Sequence, residues 1–478
     1  MTPVRVALLD GYRPAPGRLV EFVRSAATRA AAEEAAPSPV PPSFNQLFHL
    51  ATADRDPEGP RHWLCCAFDL PGAVDLDALH RAFAFFTARH EGLRSGFRAR
   101  RGPDGAPAGV DRFVLPAETY ELAREDHGEP ATPEELRELL RARLAARCHP
   151  LGEPPHLLSA IVRPGSATVF CGFDHGNTDG WSLALAVHEL GASYAAFAAG
   201  RTPELPPAGS FVDYCAEEQA ALGARPPGPE DPLLAGWADF FAGCGDTLPA
   251  FPLDLGVAPG SRAPQGSELR RLLGPEAAGT FEDRCRAHGG TFFTGALTAF
   301  ALAARRLGAE GPMRLVSPLH TRHEDRWALA MGWFTTVAPL TLDVTAAEGA
   351  AAGSARTKEA FAAGRRLAGV PVAQVLPALG DRVRRARDDV FMVSYLDYRR
   401  LPGSEGHTAA DAHQIVGATT ADEAQFWFTR THEGLFLRAR YPGTDRAAAV
   451  VHRFTEAVRG ILEQESGAED AAALTATA

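Results

Sequence analysis

Apolar residues recur along this chain in two rhythms, one of period two and one of period three to four. Residues 62–70 are dense in Trp, Leu, Cys, Ala and Phe and read as a strand. Leu76, Leu79, Phe83 and Phe86 then fall at helical spacing, which predicts a helix running into Arg89-His90-Glu91. Thr132 as cap and Pro133 at the first helical position open a charged helix to about residue 146. Residues 159–162 and 168–174 read as a strand pair around the turn signal Pro164-Gly165. Leu183, Val187, Leu190, Tyr194 and Phe197 form the stripe of a buried helix starting just after Asp179-Gly180. The polar stretch 174–180 is therefore a strand-to-helix crossing.

The second half repeats the style of the first. A helix is expected at 292–307, strands at 314–319, 334–344 and 390–398, a hairpin across His432-Glu433-Gly434, and a helix at 446–464. A short apolar segment stands at 4–9, and an Ala/Pro-rich stretch at 30–42 reads as a connector, because its prolines cannot continue a helix. Proline-rich passages at 201–209 and 224–232 and a long irregular stretch at 245–266 interrupt the middle. The chain has 478 residues, and single cores stop growing near roughly 250–300, so two lobes are expected. We place them at residues 1–205 and 206–464, with an Ala/Thr/Glu-rich tail, 465–478, too poor in large apolar residues to pack. Strands alternating with helices in both halves argue for an α/β fold made twice.

Composition narrows the chemistry. A formal net charge of −11 without any Lys/Arg-rich block argues against nucleic acid as a partner. Lys358 is the single lysine, which leaves almost no room for Schiff-base chemistry. Seven cysteines without regular spacing suggest neither a disulfide framework nor a zinc site. The sequence His320-Thr321-Arg322-His323-Glu324-Asp325 superficially suggests metal ligands, but its polar setting reads better as an exposed loop, and no metal is expected. No basic segment followed by an apolar core opens the chain, and no run of about 18 apolar residues occurs, so a cytoplasmic protein without a membrane span is expected. Phosphate-loop, nucleophile-elbow and dinucleotide-binding motifs are absent.

The informative segment is Phe173-Asp174-His175-Gly176-Asn177-Thr178-Asp179-Gly180-Trp181. A histidine leaving the end of a buried strand stands where a cleft would open, and a neutral imidazole there can accept a proton from an alcohol or amine near neutral pH. Asp179 sits where a helix N-cap would, so its carboxylate could serve the backbone instead of chemistry.

This segment resembles the His-His-x-x-x-Asp-Gly motif of the condensation domains of nonribosomal peptide synthetases and the acyltransferases related to them. Further signatures follow in order: Ser43-Phe44-Asn45-Gln46, Arg89-His90-Glu91-Gly92-Leu93-Arg94-Ser95-Gly96-Phe97, Phe211-Val212-Asp213-Tyr214, and Met331-Gly332-Trp333-Phe334. The resemblance spans about residues 43–464. The opening, with Tyr12-Arg13-Pro14-Ala15-Pro16-Gly17, and the stretch Val393-Ser394-Tyr395-Leu396-Asp397 look like the stand-alone polyketide-associated acyltransferases of actinobacteria.

The resemblance implies two chloramphenicol-acetyltransferase-like lobes in a V-shaped pseudodimer with a central channel, and a strand at 334–344 that crosses from the second lobe to the first. It assigns His175 as catalytic. Asp174, Asp179, Gly180 and Arg322 become motif or structural positions, with Asp179 ion-paired to Arg322, ten residues before Gly332. Trp181, Ser317, Trp333, Thr335, Ser394 and Tyr395 fall along the substrate channel. The implied reaction is acyl transfer from a carrier-protein or coenzyme A thioester to an alcohol or amine, giving an ester or amide in natural-product or lipid biosynthesis. It implies a monomer that needs no bound cofactor, since the phosphopantetheine or coenzyme A arm enters with the donor.

The sequence also departs from the pattern. Asp174 replaces the first motif histidine, and a carboxylate beside His175 is expected to raise that imidazole's pKa. Thr336 and Thr341 stand where synthetase domains carry Asn and Arg, which weakens the analogy to peptide-bond formation. Two alternatives stay open on these grounds: a non-catalytic module that recruits carrier proteins, and an epimerase-like relative.

Overall fold

A computed structural model of the chain describes residues 5–467 apart from 58, 60, 223–226 and 229. The chain divides into two compact units, each built on a seven-stranded sheet. The first comprises Met1–Ala224 with two later segments, His320–Thr335 and Arg400–Ala418; the second comprises Arg225–Leu319, Thr336–Arg399 and Thr419–Ala478. The first unit is thus not contiguous in sequence. It also takes in the helix Phe211–Leu222, which lies beyond the boundary expected at residue 205.

In the first unit the strands run in the order Arg5–Leu8, His413–Val416, Trp63–Pro71, Ser166–Asp174, His156–Arg163, Arg18–Arg24, Leu122–Asp126. Alternation along these strands feeds two separate cores. Cys66, Phe68, Val169 and Cys171 face the helices Leu76–Arg89 and Gly180–Ala198, whose Leu79, Phe83, Phe86, Leu183 and Leu190 share their cluster. Cys65, Ala67 and Phe170 face the opposite way, against Leu136, Leu140 and Leu144 of the helix Pro133–Arg147. The sheet is thereby covered on both sides, so its central strands carry almost no polar residues. Arg89-His90-Glu91 has a structural role: Arg89 Nε and His90 Nε2 donate to the buried Glu189 carboxylate at 3.0 and 2.8 Å, tying the two helices on one face together.

The second unit's sheet runs Thr335–Leu342, Met313–His320, Met392–Asp397, Gln425–Thr431, Gly434–Pro442, Ala263–Leu273, Thr420–Ala421. Leu315, Phe391, Val393 and Phe426 pack with Phe300 and Phe454 of the helices Phe292–Arg306 and Asp445–Ser466. Val316 turns the other way, toward Trp237, Phe240 and Phe241 of the helix Pro232–Gly243.

Three sequence expectations are corrected here. The strand Thr335–Leu342 does not join the sheet of the first unit; its backbone pairs with Met313–His320 at the edge of the second sheet. The parts of the later sequence that belong to the first unit are the irregular segment His320–Thr335 and the segment Arg400–Ala418, whose strand His413–Val416 pairs with Arg5–Leu8 and Trp63–Pro71. The stretch read as a connector at 30–42 begins inside a helix, Ala26–Glu34, because Ser25 caps it and alanine is the strongest helix former; the prolines stop it only afterwards. The helix expected to end at 464 runs to Ser466, and of the tail expected to stay unpacked, 468–478 lies outside the described residues.

Candidate active site

The strand Ser166–Asp174 is fourth of seven in its sheet, flanked on both sides, and its last residue hands the chain to a short 3-10 turn, His175–Asn177, before the helix Gly180–Ala198 begins. His175 is fixed twice by backbone. Its own N–H donates to the His62 carbonyl at 2.8 Å, and its Nδ1 lies 3.0 Å from the Thr178 carbonyl. A carbonyl only accepts, so Nδ1 carries the proton and Nε2 of the neutral ring is the free base. The half-buried imidazole packs against Trp333, ring centroids 4.3 Å apart.

Asp179 takes both roles foreseen for it. Its Oδ1 accepts from the Ser182 N–H at 2.8 Å as an N-cap, and the two carboxylate oxygens lie 3.0 and 3.1 Å from Arg322 Nη2. Oδ2 also accepts from the Phe334 N–H at 3.1 Å. Arg322 Nη1 donates to the carbonyls of Trp327 and Ala330 at 2.7 and 2.6 Å, and its guanidinium lies over the Phe334 ring. Ser182 Oγ accepts from Arg322 and from the Gly332 N–H, and donates to the Gly332 carbonyl at 2.9 Å. Trp181 Nε1 donates to the Ala328 carbonyl at 2.9 Å, and the Gly180 carbonyl accepts from Gln414. The segment His320–Thr335 is in this way clamped onto the start of the helix that follows the histidine, which brings Trp333 against His175.

A third set of contacts comes from the helix Phe44–Arg55. Ser43 and Gln46 form a capping box, and Gln46 Nε2 then donates to the Gly176 carbonyl at 2.8 Å and to Asn177 Oδ1 at 3.1 Å. Arg112, buried, donates to Gln46 Oε1 at 2.6 Å. Asn45 Nδ2 donates to the Thr335 carbonyl. One turn on, His49 Nε2 meets both oxygens of the buried Asp174 carboxylate at 2.9 and 3.0 Å, and Asp174 Oδ1 also accepts from the Gly176 N–H.

This contact reverses an electrostatic expectation. Burial works against a charged His49, but the field and hydrogen bond of Asp174 win and raise its pKa above the ordinary imidazole value. For His175, burial pushes the pKa down and the positive charge on His49 adds to that, outweighing the Thr178 bond and the field of Asp174. The expected upward shift of His175 beside Asp174 is therefore corrected to a downward one: burial outweighs the field of Asp174, and the charge on His49 adds to it.

Of the residues singled out in the sequence, His175, Asp174, Asp179, Gly180, Trp181, Arg322, Trp333 and Thr335 all lie in the first unit and around one loop. Ser317, Ser394 and Tyr395 lie in the second, on its neighbouring strands Met313–His320 and Met392–Asp397. There Ser317 is fully buried and Tyr395 stacks on Phe293 at 4.9 Å. His49 is the residue the sequence reading missed. Its one local signal is its place three residues after Gln46, on the same face of a capped helix.

Away from this site, Glu21, Glu125 and His127 are the one group among the described residues with ligand atoms close enough to hold a metal ion. The Glu21 carboxylate already accepts from Arg143 and Arg147 at 2.6 Å and from His127 at 2.9 Å, so a cation there would face two guanidinium groups.

A family model of the condensation domain matches residues 51–413. The chain belongs to the condensation-domain family. Curated relatives include the acyltransferase PapA3 of Mycobacterium tuberculosis, 26% identical over 97% of this chain and 98% of the relative. Another is the trehalose-2-sulfate acyltransferase PapA2 of Mycobacterium bovis, 29% identical over 71% of this chain and 70% of the relative. Among solved structures, the PapA2 acyl transferase superposes with a TM-score of 0.86 over 97% of this chain and 99% of the other, at 24% identity. The first condensation domain of the CDA synthetase gives 0.66 over 89% and 96%, at 19% identity. These matches agree with the two-lobed α/β architecture, and the chain is an acyltransferase of this family. Among the described residues no helix is long and apolar enough to cross a membrane.

Proposed function

We propose that this acyltransferase moves an acyl group from a thioester, on a carrier protein's phosphopantetheine or on coenzyme A, to a hydroxyl group, forming an ester on a glycolipid or related lipid precursor. The observation that carries the reading is the state of His175: Nδ1 is committed to the Thr178 carbonyl, and burial holds the ring neutral, so Nε2 is ready to take a proton near neutral pH. The hydroxyl oxygen attacks the thioester carbonyl while Nε2 accepts its proton. Collapse of the tetrahedral intermediate breaks the carbon–sulfur bond, and the proton returns from Nε2 to the departing thiolate. No acyl-enzyme forms, and the only cofactor group involved arrives and leaves as part of the donor. Asp179 and Arg322 act at one remove, by fixing the turn and Trp333 around the base. A hydroxyl acceptor is favoured over an amine because PapA2, whose name gives trehalose-2-sulfate as its substrate, is among the relatives.

The test is a mass-spectrometric transfer assay with acyl-pantetheine, acyl-carrier-protein and acyl-coenzyme A donors and a mixed panel of sugar alcohols, long-chain alcohols and amines, run beside His175→Ala. Ester formed by the wild type and lost in the variant is expected. Amide as the main product would overturn the choice of acceptor, and equal product from both proteins would remove His175 from the chemistry.

A further inference from the structure

His49 lies on a different element from the histidine turn and has no part in the scheme above, yet its imidazole sits on the buried carboxylate immediately before His175. We propose that His49 is a positioning residue for acyl transfer: its Nε2, held on both oxygens of Asp174, locks the end of the strand that presents His175 and supplies the positive charge that balances Asp174.

Three observations support this. First, the contact is enclosed: the side chains of His49 and Asp174 are 10% and 2% exposed, so neither has water as a substitute partner. A buried carboxylate without a counter-charge is strongly disfavoured. Second, the pair is built into the turn itself. Asp174 Oδ1 accepts from the Gly176 N–H at 2.9 Å, and a Cβ placed on Gly176 would lie 2.9 Å from that oxygen and 3.4 Å from His49 Cδ2. Third, His49 reaches the base through Trp333, meeting that ring edge-on at 6.1 Å while Trp333 lies against His175.

Beside burial, which lowers the pKa of His175 most, the charges that act on it are those of His49 and Asp174. Asp179 is matched by Arg322. Burial keeps the Cys148 thiol beside Asp174 protonated. His62 lies next to His49, with ring centroids 6.2 Å apart. What remains, besides burial, is a carboxylate that draws a proton onto His175 and an imidazolium that repels one. Removing His49 alone takes away its lowering contribution, leaves Asp174 opposed by burial only, and makes His175 more basic.

The inference rests on His175 being the base, and the experiment separates the two ideas. Protein labelled with 13C at histidine Cε1 is titrated by NMR, with the His49 and His175 signals assigned from His49→Gln and His175→Gln, and the pH dependence of kcat/KM is measured in parallel. In the wild type, His49 is expected to hold its proton to higher pH than His175. In His49→Gln, whose amide still donates to Asp174, the His175 midpoint should rise by about one pH unit, the shift an uncompensated neighbouring carboxylate produces, and the acid limb of kcat/KM should rise with it. Adding Asp174→Asn should bring the midpoint back toward the wild-type value. A wild-type titration in which His49 loses its proton before His175 overturns the proposal, with no variant required. So does a folded His49→Gln protein with an unmoved His175 midpoint. The NMR shift present without any His175-dependent transfer would instead count against the proposed reaction while leaving the pair's electrostatic role in place.

Discussion

Trp333 lies against the imidazole of His175 with ring centroids 4.3 Å apart and planes inclined by 37°, although the two residues are far apart in sequence. The indole closes one side of the imidazole and limits the directions from which another group can approach Nε2. Aromatic contacts of this type contribute about 0.5–1.5 kcal/mol beyond the area they bury. Trp333→Ala is therefore expected to lower kcat/KM by up to about tenfold, with Trp333→Phe recovering part of the loss. Steady-state kinetics on the pair of variants checks this; equal rates in Trp333→Ala and the wild type would show that the ring does not orient the base.

Breaking the Asp179–Arg322 pair should be felt first as stability. The two side chains are 10% and 2% exposed, and Arg322 also occupies the carbonyls of Trp327 and Ala330. Arg322→Ala strands a buried carboxylate and two carbonyls at once, and a loss of about 3–5 kcal/mol is expected in denaturant unfolding. Arg322→Lys should recover little of it, since one ammonium cannot span the carboxylate and both carbonyls as the guanidinium does.

These relationships differ in how visible they were beforehand. The histidine turn is local: strand, base, cap and helix start fall within a few residues, so period and capping rules reach them. Arg322 was reachable through its spacing from Gly332 in a resembling motif. His49 was not, because it meets Asp174 across 125 residues of chain and its helix has no strong apolar stripe of its own. The hairpin Ser95–Arg101 and Pro107–Val114 escaped for a related reason: its outer half is exposed and arginine-rich, so alternation is faint. Periodicity identified a strand at 334–344 but not its neighbour, and the crossover that the resemblance implied for it is not where its backbone pairs; hydrogen-bond partners are a property of the assembled sheet.

Mild acid, in the ordinary histidine range, should destabilise the protein. Burial lowers the pKa of His90, His156 and His175 below the ordinary imidazole value, with Arg24 adding to the effect at His156. Each binds a proton more readily in the unfolded chain, so folding stability rises with pH across the interval between folded and unfolded values and is lost as pH falls through it. Burial lowers His80 and His407 in the same way. His49, raised by Asp174, Glu423, pushed up to about 7 by burial, and Glu218, also raised by burial, work in the opposite sense, three groups against five. The thermal midpoint is expected to fall between about pH 7 and about pH 5. A midpoint flat over that range would mean that these rings are already charged in the folded protein.

Gly332 should tolerate no side chain. It sits in the clamped segment with its N–H and carbonyl both on Ser182 Oγ, so it cannot shift without losing two hydrogen bonds. A Cβ there would lie 2.3 Å from Phe211 Cδ2, 2.4 Å from Cγ and 2.9 Å from Cβ. Rotating the ring relieves only the first of these, since the Phe211 Cβ belongs to the helix Phe211–Leu222, and the ring is held between Tyr214 and Phe334. Overpacking of this kind costs about 1–3 kcal/mol. Because Gly332 is next to Trp333, the strain in Gly332→Ala should reach the base as well, lowering kcat more than the Trp333→Phe change does. Differential scanning calorimetry together with kcat for the two variants tests both parts, and a Gly332→Ala protein with unaltered midpoint and turnover would show that the segment yields where the packing says it is fixed.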